Sequence, residues 1–148
     1  MVLVEPEIPP NTGSIARLCA ATATPLHLVE PLGFQIDDRH LRRAGIDYWP
    51  HVDVRRHSDW AAFLAANPGG RLRLFSARAE RPYTACRYAA EDFLVFGGES
   101  RGLPPALREA HAAELYGIPM ASPHVRSLNL ATAVAIVLYE ALRQLGHA

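Results

Sequence analysis

Phe93-Leu94-Val95-Phe96-Gly97-Gly98-Glu99-Ser100-Arg101-Gly102-Leu103-Pro104 is the stretch whose reading decides the fold. It opens on an apolar run, Phe93–Gly97, of strand length. Glycines at 97, 98 and 102 then break the run. Pro104 starts a helical pattern to Ala113, at a position where its missing N–H costs nothing. A buried strand that turns through glycines into a helix is half of a βαβ unit. The same alternation recurs on both sides. Val2–Glu5, Leu26–Glu30, Arg71–Ala77 and Leu115–Ile118 read as further strands. Thr12–Thr22 behind an Asn11 cap, Arg39–Gly45, Asp59–Ala66 behind a Ser58 cap, and Leu128–Leu145 stopped by Gly146 read as helices. The pattern predicts a single α/β domain over residues 1–148, a mainly parallel sheet flanked by helices. Ligands of such sheets sit beyond the carboxyl ends of the strands. That rule points to three loops, Pro6–Gly13, Gly97–Pro104 and Pro119–Ser127.

Composition narrows the function. The chain has 148 residues, and 15 cations balance 15 anions, so the formal net charge is zero. That argues against a nucleic-acid binder held by overall charge, and leaves room for a local basic patch. Every cation is Arg; Lys is absent, which excludes a P-loop lysine, a Schiff-base lysine or a lysine base. Any anion recognition is therefore the work of Arg, whose fork suits phosphate and carboxylate. An apolar content of 49% excludes disorder. No run approaches the ~20 residues of a membrane span, and no secretion signal opens the chain. Cys19 and Cys86 are too few for a disulfide framework, and the His residues lack metal-ligand spacing. The expectation is a metal-free protein of a reducing cytoplasm.

Within the loops, Asn11 reads first as a helix cap, Arg17 as a helical surface residue and Ser127 as the cap of the last helix. Asn129 in a first turn is mildly unfavourable and hints at a polar task. The last helix carries apolar residues on two stripes. Leu130, Val134, Val137, Leu138, Ala141 and Leu145 form one, while Leu128, Ala135, Ile136 and Leu142 lie off it. The second stripe is covered either by the protein's own core or by a partner subunit.

Taken together, Glu5–Gly13 with Arg17-Leu18-Cys19, Leu41–Tyr48, Phe96–Pro104, Ile118-Pro119-Met120 and Arg126–Leu130 resemble the SPOUT (alpha/beta-knot) RNA methyltransferases. Within them they are similar to the short TrmL-type tRNA (cytidine/uridine-34) 2′-O-methyltransferases. The resemblance runs from Val2 to about Gly146. It implies a deep trefoil knot at the C-terminal end of the sheet, S-adenosyl-L-methionine as cofactor, and a homodimer with catalytic residues from both chains. It implies methylation of the ribose 2′-OH of wobble nucleotide 34 in the anticodon stem-loop of tRNA, leucine tRNAs among them. Carried over by position, cofactor contacts fall on Phe75, Gly97, Gly102, Leu103, Ile118, Ser127 and Leu128. The catalytic set falls on Asn11, Arg17, Glu99, Ser127, Asn129 and Tyr139. Arg39, Arg42 and Arg43 are candidate RNA contacts, with Arg55 and Arg56 as a second cluster and Phe34, Tyr48 and Trp49 as stacking surfaces. Two departures stand out: Gly98 where relatives often have Pro, and one extra residue between Met120 and Arg126. The alternatives are another tRNA or rRNA ribose as target, and a non-catalytic RNA-binding α/β module.

The chemistry needs alignment of oxygen, methyl carbon and sulfur, and the handling of one proton. A guanidinium has a pKa above ~12 and is a poor base. The expected role of Arg17, positioned by Glu99 and Asn129, is to lower the hydroxyl pKa and hold the neighbouring phosphate.

Overall fold

Val2, Leu3 and Val4 are buried on both sides of the first strand, which places that strand in the middle of a sheet covered on both faces. The computed structural model describes residues 1–36 and 48–147. Strands β1 (Val2–Val4), β2 (Leu26–Val29), β3 (Val54–His57), β4 (Arg71–Phe75), β5 (Asp92–Gly97) and β6 (Leu115–Tyr116) form one sheet. Their order is β3-β2-β1-β5-β4-β6, and every pair is parallel. Helices α1 (Pro9–Ala21), α2 (Trp60–Ala66), α3 (Pro105–Ala110) and α4 (Leu130–Gln144) are described around it.

Alternation along the strands divides the core into two layers. Leu3, Leu28, Leu94 and Phe96 face Ile15 and Cys19 of α1 and Val134, Val137 and Leu138 of α4. Val2, Val4, Val29 and Val95 face the other way, onto Phe63 of α2 and Leu107 of α3. Each such fully buried side chain contributes roughly 1.5–3 kcal/mol of transfer free energy. Cys19 and Cys86 are free and buried, and burial pushes the Cys19 thiol up to about 11. No described helix is long and apolar enough to cross a membrane.

Three helix caps differ from the sequence reading, each for a local reason. Helix α1 starts at Pro9, not Thr12, because Pro9 and Pro10 occupy the first turn, where no N–H is needed. Asn11 therefore lies inside the helix and is not its cap. Asp59, not Ser58, caps α2, with Oδ1 accepting the Ala62 N–H at 2.7 Å. Asn129, not Ser127, caps α4. Strand β3 escaped the sequence reading because it is an edge strand, Val-Arg-Arg-His. Its exposed Arg55 and Arg56 pair with Asp53 and Glu30 and break the apolar signal. The expected helix over 39–45 lies outside the described residues.

All six carboxyl ends point one way, so the loops 5–8, 76–81, 98–104 and 117–129 gather at one end of the sheet. Two of them run against each other. Gly117 donates its N–H to the Arg81 carbonyl at 2.8 Å and accepts the Tyr83 N–H at 2.8 Å.

One polar pair lies between β2 and β3, with His27 buried and His57 half-buried. His27 Nδ1 lies 2.9 Å from His57 Nε2, with Phe63 edge-on to both rings. Burial, then the charged amino terminus and His57, lower the His27 pKa to about 4. The folded protein thus disfavours the protonated ring, and its contribution to stability is complete above the unfolded pKa near ~6.5 and lost as pH falls towards 4. Acidification through that window is expected to cost up to about 3 kcal/mol in urea unfolding. His27→Phe should flatten that part of the profile; an unchanged slope would remove His27 as its source.

Candidate active site

The glycine loop is built by close approach. A Cβ on Gly97 would overlap the backbone of Gly102 and Leu103. Gly102 itself has φ 67, a left-handed conformation suited to glycine. Its N–H donates to the Gly98 carbonyl at 2.8 Å and closes the loop on itself. This tight turn carries Glu99 at its tip.

Glu99 faces the start of α1, where backbone N–H groups have no helical partner. Its carboxylate accepts from the N–H of Glu7 at 2.7 Å, the N–H of Ile8 at 3.1 Å and Asn11 Nδ2 at 3.0 Å. A carboxylate can only accept, so the Asn11 amide must turn its NH2 to Glu99. Its Oδ1 is then left to accept from Asn129 Nδ2, at 2.9 Å. Asn129 Oδ1 in turn accepts the N–H of Ala131 at 2.9 Å and of Thr132 at 3.3 Å. One line of hydrogen bonds thus runs through all three loops, from one helix N-terminus to another. A second tie joins the same loops: the Ser100 hydroxyl donates to the Glu7 carboxylate at 2.6 Å, and this bond holds the Glu7 pKa below its usual value.

Beside this line opens a cavity of about 810 Å³, within the size range of small-molecule sites. Phe75 and Ile118 form apolar wall. Gly97, Gly102 and Leu103 contribute the glycine loop, and Ser127 and Leu128 the last loop. All seven expected cofactor contacts therefore meet at one cavity, with Asn11, Glu99 and Asn129 on its wall. Met120 of the Ile118-Pro119-Met120 motif lines it too, as do Arg78 and Arg108, which were not singled out in the sequence because neither belongs to a motif.

Two expected catalytic residues stand elsewhere. Arg17 is exposed on α1, its guanidinium carbon 5.0 Å above the Tyr48 ring, and it does not line the cavity. Glu99 and Asn129 hold the two helix starts, so within one chain they do not position Arg17 as expected. Tyr139 is 50% exposed on the outer face of α4. Arg39, Arg42 and Arg43 lie outside the described residues. Arg55 and Arg56 are tied to neighbouring carboxylates. Among the expected stacking surfaces, Tyr48 is exposed, Phe34 is half-buried and Trp49 packs against the core. Among the described residues no group of three or more His, Cys, Asp or Glu comes together to hold a metal.

Comparison with known proteins agrees with this geometry. The SpoU rRNA Methylase family matches residues 1–139. The tRNA (cytidine(34)-2'-O)-methyltransferase of Escherichia coli K12 is 50% identical over 148 residues, 99% of this chain and 94% of the relative. A solved structure described as giving insights into 2-OH methylation of C/U34 on tRNA has a TM-score of 0.93 at 51% identity, covering 99% of this chain and 95% of its own. An AdoMet-bound rRNA methyltransferase from Sinorhizobium meliloti has a TM-score of 0.83 at 27% identity, over 97% of this chain and 55% of its own. The parallel sheet with its loop-built cavity is that of the SPOUT α/β methyltransferases. The chain belongs to the SpoU methylase family, and it is a methyltransferase.

Two substitutions test the construction of the site. Glu99→Gln turns an amide NH2 toward donors and should cost about 1–3 kcal/mol in urea unfolding. Gly97→Ala should cost about as much, roughly 1–3 kcal/mol, by overpacking against Gly102 and Leu103. Wild-type stability in either variant would contradict the contacts described.

Proposed function

We propose that this chain transfers a methyl group from S-adenosyl-L-methionine to the ribose 2′-OH of nucleotide 34 of tRNA, cytidine or uridine, and that it works as a homodimer in the cytoplasm. The observation that carries the reading is the hydrogen-bonded line Glu99–Asn11–Asn129 along the wall of the cavity, in a chain whose near-full-length relatives bear that activity in their names.

The residues present suit the donor. Gly97 brings backbone to the cavity edge where any side chain would collide. Phe75, Leu103, Ile118 and Leu128 offer apolar contact to a nucleoside, and the buried Nε–H of Arg108 lacks a partner. We assign Phe75, Gly97, Gly102, Leu103, Ile118, Ser127 and Leu128 to holding it. When bound, it supplies a methyl group already activated on a sulfonium. The backbone contacts of Gly117 with Arg81 and Tyr83 support the trefoil knot that would enclose this site.

Asn11 and Asn129, locked in orientation by Glu99, present fixed amide dipoles toward the acceptor ribose. Arg17 enters from a second copy of the chain. Its own cavity does not contain it, and Ile8, Tyr48 and Tyr139, exposed by 42–50%, supply unpartnered surface for such a contact. Its guanidinium lowers the pKa of the 2′-OH and binds the adjacent phosphate by its fork. The proton leaves through a phosphate oxygen or water. Arg39, Arg42 and Arg43, together with Arg101 and Arg126 at the cavity rim, are the proposed tRNA contacts.

Total tRNA incubated with labelled donor should carry the label, after nuclease mapping, as a 2′-O-methyl group at nucleotide 34. Label at another nucleotide overturns the assignment. Arg17→Lys, which keeps charge and loses the fork, should lower kcat by about two orders of magnitude with little change in donor KM. An equal mixture of Arg17→Ala and Asn129→Ala chains should regain about a quarter of wild-type sites, since each mixed dimer holds one intact site. Absence of any recovery would place Arg17 in the service of its own chain.

A further inference from the structure

Two arginines in the cavity wall, Arg108 and Arg78, have not yet been given a partner. Arg108 stands on α3, in no loop motif, and its Nε–H is completely buried without a hydrogen-bond partner. Burying a guanidinium donor unpaired is costly, so such a group is retained where an acceptor comes to it. The acceptor must come through the cavity that Arg108 lines. Glu99 is the carboxylate on the same wall, and its oxygens are already engaged by Glu7, Ile8 and Asn11. Arg78, held in the turn after β4 by its N–H to Ser76 Oγ at 3.2 Å, lines the cavity as well. Neither arginine has an ion-pair partner among the described residues.

Two anions enter this site in the proposed reaction: the carboxylate of the donor's amino-acid tail and the phosphates of the tRNA. The phosphates arrive from solvent and meet the exposed Arg101 and Arg126 first. The Arg108 Nε–H is out of reach of bulk solvent, whereas Arg101 and Arg126 are exposed. A planar fork matches a carboxylate bidentately. We propose that Arg108, seconded by Arg78, recognises the carboxylate of the donor's amino-acid tail and is a specificity-determining residue of this chain. The inference rests on the donor assignment made above. It places the tail on the α3 and β4 side of the cavity and leaves the Asn11–Glu99–Asn129 side to the acceptor ribose.

The test is equilibrium binding by calorimetry, with three thioether probes that share one nucleoside. S-adenosylhomocysteine has the whole tail, its decarboxylated analogue keeps only the amine, and 5′-methylthioadenosine has neither. The wild-type chain should bind the first about 10- to 100-fold more tightly than the second. Arg108→Met keeps the apolar stem and should erase that preference, leaving affinity for the decarboxylated probe and for tRNA unchanged. Arg108→Lys should restore part of it, and thermal melting verifies that both variants are folded. Equal weakening of all three probes, no weakening, or a loss confined to tRNA affinity overturns the proposal. If the wild-type chain binds every probe equally well, the donor assignment stands and the role of Arg108 falls. If it binds none, both fall.

Discussion

The acceptor-only chemistry of one carboxylate organises the functional end of this protein. Glu99 sits on the tip of a turn that glycines make tight enough to reach α1. There it meets two backbone N–H groups and one side-chain amide. The first turn of α1 begins with two prolines and has no side-chain cap of its own. Glu99 supplies from 91 residues away in sequence what a neighbouring Ser or Asp supplies in an ordinary helix, and its charge suits the positive end of the helix dipole. Because the carboxylate cannot donate, it also dictates which way Asn11 turns, and Asn11 dictates Asn129. The orientation of two amides at the cavity wall follows from one negative charge.

That arrangement requires a sheet whose carboxyl ends all open on one side. Parallel pairing from β3 through β6 provides it, and the two covered faces provide the rigidity. Strands β1 and β5 sit side by side at the centre, so the loops that leave them, carrying Glu7 and Glu99, are neighbours from the start. Ser100 donating to Glu7 and Glu99 accepting from Glu7 join these loops in both directions.

The legible part of the chain is the part where local chemistry and tertiary position agree. Apolar runs such as Phe93–Gly97 mark central strands because both faces are buried, and β3 hid because edge position lets Arg55 and Arg56 replace apolar residues. The three loops that line the cavity were readable because glycine, proline and asparagine concentrate beyond strand ends. What local sequence does not contain is who satisfies whom. Asn11 looks like a cap and is a relay; Ser127 looks like a cap and lines the cavity, while its neighbour Asn129 does the capping. The wall residues Arg78 and Arg108 had no motif to announce them, since an arginine in a helix or turn is ordinarily solvated.

The distribution of arginine resolves the tension between a neutral chain and a polyanionic substrate. Arg55, Arg56, Arg71, Arg73 and Arg143 are spent on Asp53, Glu30, Asp92, Glu114 and Glu140, all away from the cavity. These pairs cancel at short range and contribute little field beyond a Debye length of about 8–10 Å. Arg78, Arg101, Arg108 and Arg126 line the cavity and have no ion-pair partner among the described residues. Five described arginines are thus paired with carboxylates away from the cavity, while the four that line it are left free of such pairs among the described residues. A protein built this way gains phosphate attraction where geometry can use it, and avoids the indiscriminate attraction that a uniformly basic surface gives to any nucleic acid.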